Sequence, residues 1–508
     1  MNCLVLFTLR QNGRREVKTD KVSRKYAASW FSMLKTKPSD VLIIGAGAAG
    51  LAAALDLSRA GCKVIVLEAR DRIGGRIFTH KDPSVPIPID LGAEFVHGKS
   101  PELWHIAQRA HLQLYEVSER HWYFENGKLS KSDDFWTKIE RLNDKMKLSG
   151  PDQSFKDFLA SLPDDEETRR AKAMAIRYVE GFHAANIERI GVRGLIKSNE
   201  AAEAIEGDKS FRLLNGYDSL TRALRGEAER YGAMIHLNTV VKEIHWSGSG
   251  IEAVCEGDNG GSSFAASCAI ITLPLGVLQA SPGQPAAVRF VPELPQEKQT
   301  AMSNLEIGHV IRIVLSFRER FWETMKFLDQ NNNPVKFADA GFIHYPDAPL
   351  PTWWTQLPIR APVLVGWVGG PKADRIGRGS TSRQDVADRA ETGGDQLAQA
   401  AGQALDSLVL DEALTSLSQI FDLSTEFIRA RLAACYFHNW QHDPFSRGAY
   451  GYVPVEGLDD QHALSQPVDG TLFFAGEATS VGHIGTVHGA IMSGQRAAQE
   501  ILALQAPR

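Results

Sequence analysis

A glycine-rich turn near the start of the chain has the spacing of a dinucleotide-binding loop. Gly45, Gly47 and Gly50 form the pattern G-x-G-x-x-G between an apolar run at 41–44 and an Ala- and Leu-rich stretch that ends at Ala60. This pattern predicts a strand, a turn and a helix: Gly45 makes the turn, Gly47 admits a pyrophosphate to the backbone, and Gly50 lets the helix pack closely on the strand. The N–H groups at the start of such a helix favour phosphate.

An acidic side chain lies at the end of the second apolar run, the position from which dinucleotide-binding proteins contact a ribose. A second apolar run, 64–67, ends at Glu68, 18 positions after Gly50. A carboxylate there accepts hydrogen bonds from ribose hydroxyls and repels a 2′-phosphate. Glycines that only turn the chain are the alternative, but strand, helix, second strand and acid together favour a dinucleotide.

A second glycine motif comes directly after this acid. Arg70, Gly75 and Arg76 offer guanidinium groups and another close approach of backbone to a pyrophosphate. A plain NAD dehydrogenase has no need of this second motif.

The composition of the 508-residue chain disfavours several classes of function. A hydrophobic fraction of 43% and a charged fraction of 23% are ordinary for a folded globular protein. The net charge of −5 makes nucleic acid an unexpected partner. The five cysteines are scattered without a CxxC pair, which disfavours a disulfide scaffold and a metal site. No run approaches the roughly 18 apolar residues of a membrane span, so no membrane anchor is expected.

The first 38 residues differ from the rest. Basic residues follow a short apolar run instead of preceding it, which is not the order in a secretory signal. We interpret residues 1–38 as a disordered N-terminal extension and expect a cytoplasmic protein. An organelle-targeting segment and a start codon placed too early are the alternatives.

Strand and helix signals are interleaved along the chain. The stretch from Pro101 to Arg212 is predicted to be mainly helical, with an amphipathic segment at 171–182. Strand signals return at 235–246, 251–255, 269–273 and 310–317, and a last strand-to-helix unit occupies 471–504. The Gly-, Ser-, Arg- and Asp-rich stretch 372–396 is predicted to be a surface insertion.

Together with four further segments, these motifs resemble the flavin-containing amine oxidase family, which includes monoamine, polyamine and L-amino-acid oxidases. The segments are DLGAEFVHG at 90–98, WQHDPFSRGAYGY at 440–452, FFAGEAT at 473–479 and GTVHGA at 485–490. The resemblance runs from about Asp40 to the C-terminus. It implies an α/β fold in which a Rossmann-like FAD-binding domain is interleaved with a mixed α+β substrate-binding domain.

The resemblance also implies the division of the chain. The FAD-binding domain is expected at 39–115, 213–283 and 431–508, and the substrate-binding domain at 116–212 and 284–430.

Roles for individual residues follow from the same resemblance. We expect Trp440 to pack on the flavin ring, Tyr450 to face the substrate nitrogen and His97 to face the substrate. Glu477 is expected beside the ribityl or phosphate part of FAD, and the Val487 N–H beside the flavin ring. The expected catalytic residues are His97, Arg312 and Tyr450, and the expected cofactor-binding residues are Gly45, Gly47, Ala49, Gly50, Glu68, Arg70, Gly75, Arg76, Gly92, Ala93, Glu94, Phe95, Val241, Trp440, Gly476, Glu477, Thr486 and Val487.

Three positions depart from the family's pattern. Ala449 stands where monoamine oxidases attach FAD through a cysteine, which predicts a non-covalent flavin. Thr486 stands at the position of a second aromatic side chain of the substrate cage. Arg312 stands where the family usually has a lysine near the flavin, and arginine cannot simply replace that lysine. Arg312 is therefore expected to slow reoxidation by oxygen, to bind a substrate carboxylate, or to be structural.

The function expected from these residues is FAD-dependent oxidation of a C–N bond in a small-molecule amine, which is a polyamine, a monoamine or an amino acid. Hydride would pass to the flavin, and O2 or another acceptor would reoxidise it, with O2 giving H2O2. One alternative is a C–C desaturase or a protoporphyrinogen-oxidase-like enzyme, and another is a non-catalytic module stabilised by FAD. The oligomeric state is left open.

Overall fold

The computed structural model describes residues 39–505, except for 126–127, 132–138, 140, 258–259, 330 and 380–393. The predicted N-terminal extension 1–38 and most of the predicted insertion at 372–396 lie outside the described residues. No helix in the described part of the chain is long and apolar enough to cross a membrane.

An eight-stranded sheet carries the predicted glycine turn at one strand end. Strand β1 (Ser39–Ile44) lies between β2 (Val64–Leu67) and β13 (Gly260–Ile271) and pairs with both in parallel, with Ile43 opposite Val66 and Ile270. Its continuous apolar run is fully buried, as is typical of a parallel strand that is covered on both faces. The strand order is β10 (Met234–His236), β2 (Val64–Leu67), β1 (Ser39–Ile44), β13 (Gly260–Ile271), β12 (Gly250–Gly257), β11 (Thr239–Ser247) and β14 (Arg289–Val291), with β24 (Leu472–Phe474) also paired to β13.

A second large sheet has seven strands. Strand β16 (Val310–Phe317), which lies next to the edge strand of this sheet, is buried at all eight positions, because the sheet is covered on both faces there. The order is β22 (Leu432–Phe437), β16 (Val310–Phe317), β21 (Val363–Gly369), β20 (Thr352–Trp354), β19 (Phe342–His344), β7 (His121–Glu125) and β8 (Lys128–Lys131).

The remaining strands form small sheets beside these two. They are β5 (Val96–His97), β9 (Ser210–Leu213) and β6 (Leu114–Glu116) in one sheet, and the pairs β3 (Thr79–His80) with β4 (Ile89–Asp90), β15 (Glu306–Gly308) with β23 (Tyr450–Tyr452), and β17 (Lys326–Leu328) with β18 (Pro334–Lys336).

Helices cover both large sheets. They are α1 (Ala48–Arg59), α2 (Pro101–Arg109), α3 (Phe155–Ser161), α4 (Glu166–Phe182), α5 (Val192–Glu203), α6 (Asp218–Arg230), α7 (Leu275–Leu278), α8 (Gln296–Asn304), α9 (Gly370–Gly379), α10 (Gly394–Phe421), α11 (Thr425–Arg431), α12 (Gly457–Ser465) and α13 (Val487–Gln505). Three short 3₁₀ turns lie at Phe321–Thr324, Phe337–Asp339 and Glu477–Thr479.

Each large sheet has its own apolar core. Alanines of α1 and α13 pack together on one face of the eight-stranded sheet, where Ala53, Ala497 and Ala498 are fully buried. Their short side chains let the two helices lie close to each other and to the strands. The seven-stranded sheet packs against α10 through residues such as Leu414, Leu417 and Ile420. A third, helical core joins α3, α4 and α5.

The structure corrects the sequence-based boundaries at several points. The mainly helical stretch also contains β6, β7 and β8. The strand signal at 235–246 is divided between β10 and β11, because Asn238 has a φ of 50°. Two strands belong to a different sheet from the one that the predicted domain segments imply. Strand β14, in the predicted substrate-binding segment 284–430, pairs with β11 of the eight-stranded sheet. Strand β22, in the predicted FAD-binding segment 431–508, pairs with β16 of the seven-stranded sheet. Such partners are distant in sequence, so local patterns do not reveal them.

Candidate functional site

A single large cavity brings the predicted site residues together. It has a volume of about 1920 Å³, which exceeds the roughly 300–1,000 Å³ of an ordinary ligand pocket. Every predicted site residue except Gly50 contributes to its wall. Gly50 lies beneath the turn, where a Cβ atom would stand 2.0 Å from the Gly45 carbonyl oxygen. Glycine at this position therefore serves the close packing of helix on strand.

The start of α1 is open toward the cavity. Gly47 is the N-cap residue, and no side chain caps the helix there. A Cβ atom placed on Gly47 would meet nothing within 4 Å, so a ligand can approach the backbone directly. The second glycine motif lies alongside, since the Gly74 N–H donates to the Ala46 carbonyl at 2.8 Å. Free N–H groups at this helix end form an anion site.

Glu68 is fixed at the end of β2 by two backbone hydrogen bonds. Its Oε2 accepts from the Ala46 N–H at 2.8 Å, and its Oε1 accepts from the Arg70 N–H at 3.0 Å. Burial raises the pKa of Glu68, although these two hydrogen bonds act in the opposite direction. Each carboxylate oxygen has a further lone pair, which can accept a ribose hydroxyl.

The two arginines of the second glycine motif are held by protein carboxylates. Arg70 donates to Asp443 at 2.8 Å and to Ser446 at 2.9 Å. Arg76 donates to Glu477 at 2.9 Å and to the Ala449 carbonyl at 2.6 Å. Both arginines line the cavity, but their charges are compensated within the protein. The sequence predicted only the pyrophosphate as a partner, because the carboxylates lie 373 and 401 positions away.

The wall formed by residues 92–95 rests on Trp440. The Trp440 indole N–H donates to the Leu91 carbonyl at 2.9 Å, and the ring is almost fully buried. This bond orients the indole toward the loop that the sequence assigned to the flavin.

Arg312 belongs to a buried ion network that the sequence did not predict. Arg312 and Arg212 both pair with the Glu94 carboxylate, Arg212 through its Nε at 2.7 Å. The indole N–H of Trp354 donates to the same carboxylate at 3.1 Å. Burial raises the pKa of Glu94, but the two guanidinium groups outweigh it, and the net pKa lies below its usual value.

This network bears on the three roles expected for Arg312. The residue is only 5% exposed and is committed to Glu94, which matches its structural role and speaks against a direct bond to a substrate carboxylate. Its Nη1 has no hydrogen-bond partner among the described residues, although the residue contributes to the cavity wall.

The C-terminal segment presents a second helix end to the cavity. Thr486 caps α13, because its hydroxyl accepts the Gly489 N–H at 3.0 Å and donates to the His483 carbonyl at 2.7 Å. Glu477 accepts the Gly485 N–H at 2.9 Å. Val487 is the first residue of α13, where the helix dipole favours negative charge.

The other end of the cavity is aromatic and contains a neutral histidine. Burial lowers the pKa of His97 to about 4, so the imidazole is uncharged at neutral pH. Its ring lies 5.3 Å from that of Phe182 and 6.0 Å from that of Phe95. The Tyr450 hydroxyl donates to the Phe182 carbonyl at 2.6 Å. The hydroxyl is thus occupied, and the ring of Tyr450 is left to line the cavity.

Sequence reasoning missed several residues at this end. Glu119, His121, Tyr123, Phe342 and His344 also line the cavity. The alternation in the segment 121–125 was a usable signal for a strand with one polar face, whereas the segment 342–344 is too short to carry such a signal. What it could not show is that these two segments are neighbours.

The cavity fits FAD. It joins the uncapped start of α1, the start of α13, the carboxylate of Glu68 and the buried ring of Trp440, and these groups suit phosphates, a ribose and a flat ring. The part of the cavity that these groups do not line is bounded by the aromatic end around His97 and Tyr450.

Comparison with known proteins gives a consistent result. The family model described as "Flavin containing amine oxidoreductase" matches residues 48–502. Polyamine oxidase 3 of Oryza sativa subsp. japonica is 30% identical over 486 residues, which cover 92% of this chain and 90% of that protein. Probable polyamine oxidase 4 of Arabidopsis thaliana is 29% identical over 489 residues, which cover 90% of this chain and 86% of that protein.

Further similarities are partial or structural. Lysine-specific histone demethylase 1 homolog 2 of Oryza sativa subsp. japonica is 29% identical over 91% of this chain, but the match covers only 57% of that protein. A solved structure of wild-type putrescine oxidase bound to putrescine has a TM-score of 0.70 and 21% identity, over 92% of this chain and 99% of that one. At this identity the structural likeness supports the fold alone.

Proposed function

Since the chain belongs to the flavin-containing amine oxidoreductase family and is an FAD-dependent amine oxidoreductase, we propose that its substrates are aliphatic di- and polyamines. FAD supplies the redox chemistry when it is bound, as the acceptor of a hydride from the carbon next to nitrogen. The proposal includes O2 as the final acceptor, with H2O2 as its product.

The observation that carries the proposal is the composition of the cavity beyond the cofactor end. The wall combines aromatic rings, the neutral imidazole of His97 and the carboxylate of Glu119. Aromatic faces and carboxylates attract alkylammonium groups, and methylene chains pack well on rings. The polyamine oxidases named above are similar over nearly their full length, which favours the same substrate class.

The residues of the aromatic end have distinct tasks in this proposal. Hydride can leave only a neutral amine, and His97, which is uncharged, can accept a hydrogen bond from the nitrogen without adding positive charge. The Tyr450 ring forms one wall beside the nitrogen, with its hydroxyl held by Phe182. These groups orient the amine and exclude water.

Arg312 does not supply a proton in this proposal. Arginine stays charged at any working pH, and its contact with Glu94 fixes it beneath the flavin loop. We therefore expect reoxidation by O2 to proceed without a titrating side chain at this position.

The test is anaerobic titration of the purified flavoprotein, followed by air. Spermidine, spermine and putrescine are added in turn, and then aromatic monoamines and L-amino acids. Bleaching of the flavin by the aliphatic polyamines, with recovery in air and formation of H2O2, is the expected result. Bleaching only by amino acids or by aromatic amines would overturn the substrate class. Recovery only with an added artificial acceptor would overturn the assignment of O2.

A further inference from the structure

Two neighbouring strands of the seven-stranded sheet place four rings on the cavity wall. Strands β7 and β19 run in parallel, with His121 opposite Phe342 and Tyr123 opposite His344. Side chains alternate along a strand, so these four residues share one face. All four line the cavity, while Trp122 and Ile343 on the opposite face pack in the core. We call His121, Tyr123, Phe342 and His344 the ring platform.

Hydrogen bonds join the platform to Glu119. His344 Nε2 lies 2.9 Å from His121 Nδ1, and His121 Nε2 lies 3.0 Å from Glu119 Oε2. One assignment satisfies both contacts: the His344 Nε2–H donates to His121 Nδ1, and the His121 Nε2–H donates to the carboxylate. Burial holds the pKa of His344 well below its usual value, which agrees with a neutral ring.

Stacking makes the platform rigid. The His121 ring lies on that of Phe342 at 4.7 Å with an angle of 8°, and the His344 ring lies on that of Tyr123 at 4.5 Å with an angle of 19°. An imidazole that is stacked on one side and hydrogen-bonded at both nitrogens cannot turn freely. The carboxylate that His121 holds is therefore positioned as well.

Glu119 retains the capacity to bind a cation. Its side chain is 33% exposed, and the described residues give it no hydrogen bond besides that of His121. The adjacent Arg120 does not neutralise it, because Arg120 pairs with Asp339 at 2.8 Å. The charge of Glu119 also acts on His97: burial lowers the pKa of that imidazole, and the charge of Glu119 opposes the change.

A nearby lysine on the cavity wall does not compete for this carboxylate. Lys372 directs its ammonium to backbone carbonyls, those of Pro346 at 3.3 Å and of Ala348. Two of its three N–H groups are thus occupied by backbone carbonyls.

We propose that Glu119 binds a second, non-reacting ammonium group of the substrate, and that the ring platform positions this carboxylate and packs against the methylene chain. One nitrogen then lies beside His97 while another is held by Glu119, and the enzyme selects di- and polyamines over monoamines. This inference rests on the proposed function and adds the residues that set its specificity.

The test compares matched substrates on the holoenzyme. Spermidine and an N-alkyl monoamine of the same length are mixed anaerobically with the protein, and the concentration dependence of flavin reduction gives the Kd and the limiting rate for each. In Glu119→Gln, we expect the Kd for spermidine to rise about tenfold and that for the monoamine to change by less than about twofold, since one charge-assisted contact is lost. The matched control is Glu116→Gln, an exposed carboxylate outside the cavity wall, which should change neither value.

A second variant tests the positioning role. In His121→Phe, the stack with Phe342 can persist while the hydrogen bond to Glu119 is lost, so the Kd for spermidine should rise and the limiting rate should stay near that of the wild type. A loss of limiting rate for both substrates would instead place His121 in the reaction itself and overturn the assignment.

The outcomes separate this inference from the proposed function. If no aliphatic amine reduces the wild-type flavin, the proposed function fails. If wild-type protein is reduced and Glu119→Gln, with normal flavin content, keeps the wild-type preference for spermidine, only the assignment of Glu119 is overturned.

Discussion

Three carboxylates beside the cavity are already held by the protein, and each serves a different purpose. Glu68 accepts two backbone N–H groups, Glu477 pairs with Arg76, and Glu94 pairs with two arginines. A buried carboxylate without such partners would take up a proton or destabilise the fold. These side chains are therefore fixed before any ligand binds, which favours tight binding because little reorganisation is needed.

Replacement of Arg312 tests the buried network. Arg312→Met leaves Glu94 with one guanidinium in place of two, and loss of one partner from a buried ion pair costs about 3–5 kcal/mol of unfolding free energy. Arg312→Lys retains the charge and should lose much less. Urea unfolding of both holoenzymes measures the difference. Equal stabilities for wild type and Arg312→Met would show that Arg212 alone compensates Glu94.

Three histidines on the cavity wall predict a loss of stability in mild acid. Burial lowers the pKa of His97 to about 4, of His183 to about 4 and of His488 to about 3. In the unfolded chain these groups titrate near pH 6.5. Between about pH 6.5 and pH 4 the unfolded state binds more protons, so the free energy of unfolding falls as the pH falls.

Unfolding by urea at a series of pH values in this window tests the sign. In His97→Gln, one of these titrating groups is absent, so the fall in stability with decreasing pH should be shallower than in the wild type. A slope that is unchanged in the variant would mean that His97 is protonated in the folded protein.

At the scale of the elements, the helix ends expose backbone N–H and carbonyl groups that need partners. The first turns of α1 and α13 line the cavity. The last carbonyl groups of α12 instead accept hydrogen bonds from a lysine of another helix. Lys298 of α8 donates to the carbonyls of Ala463 at 2.6 Å and Leu464 at 2.9 Å, and its ammonium lies 4.2 Å from the ring centre of Phe474. One side chain thus satisfies carbonyl groups that the end of α12 leaves without helical partners.

Lys298→Met should therefore destabilise the protein through α12. Several carbonyl groups lose their donor in a buried place, and each unsatisfied group costs about 1–3 kcal/mol. The matched control is Lys242→Met, a lysine of β11 whose side chain is 40% exposed, which pairs with Glu256 and should change little. Thermal unfolding compares the variants. A similar Tm for Lys298→Met and wild type would show that water replaces the ammonium.

Elements with strong local signals were predictable from the sequence. The strands at 64–67 and 310–317 were predicted within a residue of the observed β2 and β16, and the amphipathic segment at 171–182 lies in α4. The exchange of β14 and β22 between the sheets was not predictable, because hydrogen bonds across a sheet leave no periodic pattern in the sequence. In the charged stretch at 163–167, Asp165 caps α4 by accepting the Thr168 N–H at 2.9 Å, a contact that charge alone does not reveal.

The site was predictable only in part. Glycine spacing and the acid at 68 identify a ligand with phosphates and a ribose, since both requirements are local. The partner of Arg312 and the ring platform depend on contacts between segments more than 200 positions apart. For this reason the resemblance to a family supplied the roles around the flavin, and the structure supplied the partners.

The cavity lies among segments from both ends and the middle of the chain, so FAD should act as a ligand that stabilises the protein. Ala449 supports a non-covalent flavin, because alanine has no side chain that could form the bond. We expect acid precipitation to leave all of the flavin in the supernatant. Added FAD should also raise the Tm in proportion to the logarithm of its concentration above the Kd. Flavin that remains with the precipitated protein would contradict this account.

The most direct test of the central claim is product analysis of a single anaerobic turnover with spermidine. If the protein oxidises a C–N bond, each flavin that is bleached should yield after hydrolysis one aldehyde, measured by mass spectrometry, together with one equivalent of an amine or of ammonia. A bleached flavin with an intact carbon–nitrogen skeleton that has lost two hydrogens between carbons would contradict it and favour a desaturase.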